Sequence, residues 1–529
     1  MPQYTATTAD LISLQFLAWR AYYPVPVYSL NSGCHGCLTA IHVRGFCLKF
    51  IRSICFYTTL SLTTLMTVPV QAGDLPELGD SASGYVSLQQ EYVLGRVWLR
   101  QLRAQTDTIN DPLLTTFLEN LIFRLIPHSG VRQSDFEFVV VDNASLNAFA
   151  VPGGIIGINY GLLLYTRDED EISAVLAHEL AHLSQRHFSR QIEQAERQQP
   201  VAIATLLASI LLIATNNTDA GFAGLMTSQA ASIQSQLAYS RDWEQEADRL
   251  GMKTLAEAGL DPNAMSTMFQ QMLQASRFSS RPPEFLLTHP VTESRIAEAA
   301  DRAQQYPLKP RLTSFEFLIL KQGAVRRYQL SKDKEQTYFA DIRRRNTRSG
   351  PLYAAASYSL AHIALEQQHW QQGMDYLQAI PSPWSQHPAV IALQARLLAA
   401  QGQTDNAVAA IDKALPFTPE DLLLLTTRAD LLRQAKRADE AVNVLKPLSI
   451  ARPTNPAVWQ QLSETAADAG QQLLAYRANG EYLFFSGQQA RALRQMEMAL
   501  KTARQSGDFQ QEAAINRRLQ VMTAAPDHL

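Results

Sequence analysis

His178-Glu179-Leu180-Ala181-His182 is the stretch whose reading decides this chain. Ala174-Val175-Leu176-Ala177 before it, and Leu180 and Ala181 within it, are apolar helix formers, so the segment reads as a buried helix. Asp168-Glu169-Asp170-Glu171 supplies acids at its start, where the helix dipole favours them. On a helix, positions i and i+4 share a face. Both imidazoles can therefore point at one zinc ion, and Glu179 can reach the water that the ion activates. The expected chemistry is peptide hydrolysis. The ion lowers the pKa of water to about 7, and the carboxylate moves the proton from the attacking water to the leaving amine.

A catalytic zinc site takes three protein ligands and keeps a position open. His187 follows His182 by only five residues, which puts it off the ligand face of a continuous helix, so it reads as a surface or groove residue. Ser240-Arg241-Asp242-Trp243-Glu244-Gln245-Glu246-Ala247-Asp248 is the stronger source of a third ligand. Glu244 and Asp248 are i, i+4 on a second helix, so one can bind metal while the other orients a ligand histidine from behind. Spacing alone does not separate Glu244 from Glu246.

These segments resemble metallopeptidase family 48, the gluzincins that include the CAAX prenyl endopeptidases. The shared pattern is His-Glu-x-x-His and, further on, Ser-Arg-x-x-Glu-x-x-Ala-Asp; here Glu244 follows His182 by 62 residues. The resemblance implies one zinc ion per chain held by His178, His182 and Glu244, with Glu179 as catalytic base and Asp248 bonded to a ligand histidine. Asn147-Ala148-Phe149-Ala150 matches the family's Asn-Ala-Phe-Ala strand. It implies a sheet edge beside the cleft, to which an extended substrate adds through main-chain hydrogen bonds. Thr288-His289-Pro290, with Arg295-Ile296 after it, matches a further family pattern. His289 is then a candidate for the open metal position or for the developing oxyanion, and Arg295 for the oxyanion. The competing reading makes them a helix-capping histidine and a structural arginine. A His289 that bound the metal would hold the enzyme latent.

The rest of the sequence sets the organisation. With 529 residues, 46% apolar and 18% charged, the chain has material for roughly two to four domains. A net charge of -3 with scattered basic residues gives no footprint for nucleic acid. All four cysteines, Cys34, Cys37, Cys47 and Cys55, precede residue 56, and the lone Cys34-x-x-Cys37 has no partner pair to make a zinc or redox site. Lys49 and Arg52, the apolar run 54–68 and Val70-Gln71-Ala72 have the order of an export signal cleaved before Gly73. Residues 1–42 then read as an extension ahead of the true start, and the alternative is an uncleaved anchor. Phe136–Val141 reads as a strand, and Val151-Pro152-Gly153-Gly154 as a turn into a second one at Ile155–Ile158. The uncharged segment 201–215 is short for a membrane span and reads as a buried helix by default, with an interfacial segment or a mobile flap as alternatives. Gly-rich residues around 216–228 read as a cover for the cleft.

The C-terminal part repeats. Ala395 and Ala429, Ala407 and Ala441, Val408 and Val442, and Pro419 and Pro453 are each 34 apart, and Gly402, Lys436 and Gly470 mark turns at the same period. Helix–turn–helix units of this period are tetratricopeptide repeats, which stack into a solenoid with a concave docking surface. The expected fold is mainly α: an α-rich zincin metalloprotease domain with a small β-sheet, then an all-α tetratricopeptide solenoid. The boundaries are 1–72 for extension and signal, 73–305 for the protease, 306–349 for a helical connector and 350–525 for the repeats. This layout resembles exported, periplasmic members of the family. It implies misfolded or misassembled outer-membrane proteins as substrates, and assembly machinery as partner of the repeats. Peripheral membrane contact stays open, and a chaperone or adaptor in which proteolysis is secondary is the alternative.

Overall fold

The computed structural model describes residues 87–132, 135–196, 211, 241–278, 283–311 and 313–525. All of these belong to one unit, Ala82–Leu529. The export signal, the cysteines, the extension 1–42 and the Gly-rich stretch 216–228 lie outside the described residues.

Two helices open the described chain. α1 (Leu88–Gln105) starts at a capping box in which Ser87 and Gln90 satisfy each other's backbone amides, and α2 (Pro112–Leu125) starts with Asp111 accepting from Leu113 and Leu114. Both devices supply partners to amides that a first helical turn leaves unbonded. Three strands follow: β1 (Glu137–Val141), β2 (Ala148–Val151) and β3 (Ile155–Asn159). The order is β1-β3-β2, with β3 parallel to β1 and antiparallel to β2. The β2–β3 hairpin turns through Gly153 at φ +85°, and a Cβ there would sit 2.8 Å from the Glu91 carbonyl oxygen of α1. Only glycine fits both demands.

Next come α3 (Leu162–Tyr165), α4 (Glu169–Ser184), α5 (His187–Glu196), α6 (Arg241–Glu257), α7 (Asn263–Phe278), α8 (Phe285–Thr288) and α9 (Glu293–Ala303). α4 carries His178 to His182 and is buried without interruption from Asp170 to His182. It packs on α6, α7, α2 and β2. A helix buried all round lacks a polar face because every side has a partner. Among the described residues, no helix is long and apolar enough to cross a membrane. Leu211, the described residue of segment 201–215, is helical and buried with Trp98, Phe149 and Phe188 against the sheet.

The remaining chain is helical throughout: α10 (Phe315–Tyr328), α11 (Lys332–Arg345), α12 (Pro351–Glu366), α13 (Trp370–Gln378), α14 (Pro388–Ala400), α15 (Thr404–Ala414), α16 (Leu422–Gln434), α17 (Ala438–Ala451), α18 (Pro456–Asp468), α19 (Gln472–Phe485), α20 (Gln489–Ser506) and α21 (Phe509–Ala524). Consecutive helices pack on one another, forming a helical repeat region. Six turns in this region place their turn residue at positive φ, among them Gln368 at 62°, Gly402 at 80°, Lys436 at 60° and Gly470 at 70°, and these four form a series. They fall every 34 residues. In each, the next amide reaches back to a carbonyl five residues earlier, as in Gln403 to Leu398 and Arg437 to Leu432, the bond that closes a helix over a left-handed residue. Ala395, Ala407, Ala429 and Ala441 are all fully buried.

The repeats return to the protease part. Arg452 pairs with Glu119 of α2 at 2.9 Å, and Arg103 of α1 donates to the Phe485 carbonyl at 3.3 Å. Glu316 of α10 lies among acids from both parts. Burial, with Glu169 of α4 and Asp421 before α16 adding repulsion, pushes its carboxyl up to about 7. A carboxyl raised in the folded state favours folding less as pH climbs. The unfolded chain ionises near its ordinary value of 4.5, while the folded one resists until about 7. Stability should therefore fall across that window and stay low above it. Glu316→Gln should gain about 2 kcal/mol at pH 8, a value discounted for the water that still reaches the group, and nothing below pH 4.5. Urea unfolding at both pH values checks this.

Candidate metal centre

Four side chains from three elements converge. His178 and His182 come from α4, Glu244 from α6 and His289 from the end of α8. One ligand atom of each lies within 4.8 Å of all the others, and all four side chains are buried. The approach of α6 to α4 depends on Gly251, where a Cβ would sit 3.1 Å from the backbone of Ala177 and His178. Four of the separations lie between 3.0 and 3.4 Å. Nε2 of His182 is 3.0 Å from Nε2 of His178 and 3.4 Å from Oε1 of Glu244. Nδ1 of His289 is 3.0 Å from the same Oε1 and 3.4 Å from Nε2 of His178. Ligands at the usual zinc bond lengths occupy the corners of a tetrahedron with edges of about 3.3 Å, so the donor set fits such an ion in type and spacing.

Charge points the same way. Glu244 and Asp248 are buried carboxylates that share one arginine, Arg295, and Glu179 is a third buried carboxylate beside His289. A divalent cation would offset the excess of acidic groups. Glu179 lies on the far side of His289, its Oε1 3.5 Å from His289 Nε2; that oxygen is buried without a hydrogen bond among the described residues. Burial alone would lower the His289 pKa, but the Glu244 and Glu179 charges raise it. Burial would raise Glu244, yet the charge of His289 beside it holds it well below the carboxylate range. Burial takes His182 down to about 4, leaving it neutral as a ligand must be.

Behind the cluster stands an ion-pair frame. Asp248 lies 3.0 Å from Nδ1 of His178, on the ring edge opposite the cluster. Arg295 of α9 grips Asp248 with two bonds of 2.7 Å, reaches Oε2 of Glu244 at 2.8 Å and donates to the Pro290 carbonyl at 2.7 Å. Glu246 points elsewhere, to His187 at 3.1 Å and Arg190 at 3.3 Å.

His187 departs from its reading as a surface or groove residue: it is fully buried. Its Nδ1 is 2.8 Å from Nδ1 of His182, and its ring stacks on Trp243 at 5.4 Å and 9°. The expectation assumed one continuous helix. Instead α4 stops at Ser184, and Arg186 turns at φ 51° while its side chain bonds Glu91 of α1. That turn swings His187 back over His182. A lone His-x4-His spacing carried no signal for it.

On the substrate side, β2 forms an edge of the sheet. Asn147 accepts from the Asn159 amide through its carbonyl, so by strand alternation the backbones of Ala148 and Ala150 face away from β3. The Phe149 side chain turns inward, packed on Trp98 at 5.4 Å and over Gly157, where a Cβ would clash with its ring at 2.1 Å. Any pairing at Phe149 is therefore through its neighbours' main chain. Nδ2 of Asn147 is buried without a hydrogen bond among the described residues.

Two inward-facing histidines one helical turn apart, a carboxylate from a second helix and an acid beside them define a metal-dependent peptidase. Residues 112–303 match Peptidase family M48. The chain is similar to the beta-barrel assembly-enhancing protease of Yersinia pestis, 31% identical over 446 residues that cover 82% of this chain and 91% of that one. It is likewise similar to the protein of that name in Escherichia coli strain K12, 32% identical over 412 residues, 77% and 84% of the two chains. A shorter match, 30% over 182 residues, joins it to the mitochondrial metalloendopeptidase OMA1 of Schizosaccharomyces pombe, covering 34% of this chain and 51% of that one. The chain belongs to peptidase family M48 and is a metalloendopeptidase.

The frame makes a prediction of its own. Arg295→Met removes the cation that separates buried Asp248 and Glu244, so the metal-free protein should lose about 3–5 kcal/mol of stability. Denaturant titration in chelator measures it.

Proposed function

We propose that this protein is a periplasmic zinc endopeptidase that cleaves misfolded or misassembled outer-membrane proteins, with its helical repeats acting as a tetratricopeptide solenoid that docks clients or assembly machinery. The observation that carries the peptidase half is the buried Glu179 carboxylate, whose Oε1 lies 3.5 Å from His289 Nε2, beside the cluster of His178, His182 and Glu244. The names of the relatives support the outer-membrane half. Their coverage of most of this chain, repeats included, supports docking by the repeats.

His178, His182 and Glu244 would hold the zinc. When bound, zinc supplies a Lewis acid and lowers the pKa of water into the neutral range. Glu179 takes the proton of the attacking water and returns it to the departing amine nitrogen. An extended substrate lies along β2, bonded to the backbones of Ala148 and Ala150, which presents a peptide carbonyl to the cluster and holds it at fixed depth. Asp248 lies 3.0 Å from Nδ1 of His178 and would steady that ring with Nε2 towards the ion. Arg295, with its donors committed to Asp248, Glu244 and Pro290, is a positioning residue in this scheme, not an oxyanion donor. His289 completes four protein donors, which fills the position that catalysis keeps open, so the resting enzyme is latent until His289 moves aside.

Glu179→Gln should keep metal and fold but lose casein cleavage by at least about 10²-fold. Retained cleavage would end the assignment of the base. His289→Ala should raise cleavage several-fold under the latent reading; a large loss would make His289 catalytic instead. The filled fourth position also favours a second reading, an assembly adaptor whose proteolysis is secondary. Full support of outer-membrane assembly by Glu179→Gln would select it.

A further inference from the structure

We infer that His187 and Glu246 form a positioning relay that fixes the proton of the ligand histidine His182 on the nitrogen facing away from the metal. The inference rests on the assignment of His182 as a metal ligand.

Two imidazole nitrogens 2.8 Å apart, Nδ1 of His182 and Nδ1 of His187, need one N–H between them. A neutral imidazole that ligates through Nε2 carries its proton on Nδ1. His182 is therefore the donor, and His187 Nδ1 accepts with its lone pair. A neutral His187 then holds its proton on Nε2, which faces Oε2 of Glu246 at 3.1 Å, a group that only accepts. Each proton in the row has one consistent place. Reversing the row would aim an N–H from His182 Nε2 at His178 Nε2, 3.0 Å away, and no metal could bind there.

The parts are held for this arrangement. The His187 ring is clamped flat on Trp243 and excluded from water. Arg190 donates to the same Oε2 of Glu246 at 3.3 Å and holds the carboxylate in place. The Arg186 turn that aims His187 is tied to Glu91, which Ser189 also bonds. The two ligand histidines are thus supported differently. His178 meets a carboxylate directly at Asp248, whereas His182 meets one through an intervening imidazole.

The test uses the purified protein stripped of metal, with zinc affinity read by competition against a chelating dye, visible spectra of the cobalt form, and thermal unfolding of the metal-free chain. His187→Phe keeps the ring on Trp243 but cannot accept a proton. It should bind zinc roughly 10–100-fold more weakly and shift the cobalt spectrum, with little change in metal-free Tm. His187→Gln can accept from His182 through its carbonyl and donate to Glu246 through its amide, and should recover most of the affinity and the spectrum. Glu246→Leu should fall between. Unchanged binding in His187→Phe, or equal weakness in the Phe and Gln variants, would overturn the relay while leaving the metal site intact. A wild-type protein that binds no zinc would overturn the metal reading and the relay together.

Discussion

Three buried carboxylates around the histidine cluster, Glu179, Glu244 and Asp248, are the constraint around which the protease part is built. Left alone, Glu179, Glu244 and Asp248 would repel in a medium that screens poorly, and each would cost several kcal/mol to desolvate. Arg295 answers two of them at once, gripping Asp248 with a fork and Glu244 with its remaining nitrogen. This single guanidinium ties α9 to α6. Through Asp248 it reaches His178 on α4, so the register of three helices follows from one ion-pair frame. Arg295 also packs over the Phe269 ring of α7 at 4.8 Å, which shields the frame from water and adds a cation–π contact.

The residues that converge in space were legible where their signal was local. His178 and His182 announce themselves through helical spacing, and Glu244 with Asp248 does so on the second helix. The turn into β3 was legible through its glycines, and the edge beside the cleft through the resemblance of Asn147-Ala148-Phe149-Ala150 to the family's strand. The partner of Arg295 was not, because an arginine sequence position says nothing about which carboxylate 47 residues away it will fork. His187 was misjudged for a definite reason. Helical projection holds only while the helix continues, and the break at Ser184 with a non-glycine residue at positive φ leaves no mark that propensity can read. In the repeats, Gly402 and Gly470 were legible as turns, and Lys436 followed from the period. Gln368 occupies the same turn 34 residues ahead of Gly402 and was missed, since glutamine is no turn residue. The backbone conformation there is imposed by the helices on either side.

The position of the repeats matters for the site even though they supply none of its residues. They are not a free appendage: Arg452 binds Glu119 on α2, and Arg103 on α1 donates to the Phe485 carbonyl. α1 in turn holds Glu91, which anchors the Arg186 turn and so the placement of His187. A path of partly buried hydrogen bonds therefore runs from the repeat helices at Phe485 through α1 to the support of His182. Contacts of this kind fix geometry at a distance because packed interiors deform little.

Arg295 is also where the ligand frame and the segment bearing His289 meet. Its Nη1 lies between Oε2 of Glu244 and the Pro290 carbonyl, so one cation steadies a proposed ligand and the residue directly after His289. Pro290 lacks an amide proton and has a restricted φ, which makes the point after His289 the stiff one. The His289 ring itself rests on Phe285 at 4.6 Å and 28° and on the cluster. In the latent reading, movement of the ring away from the cluster breaks the metal bond, the bond to Glu244, the pairing with Glu179 and the contact with Phe285. The Arg295 frame, and with it the placement of His178 and Glu244, stays whole during that movement. A latch of this kind has to be weaker than the frame it closes.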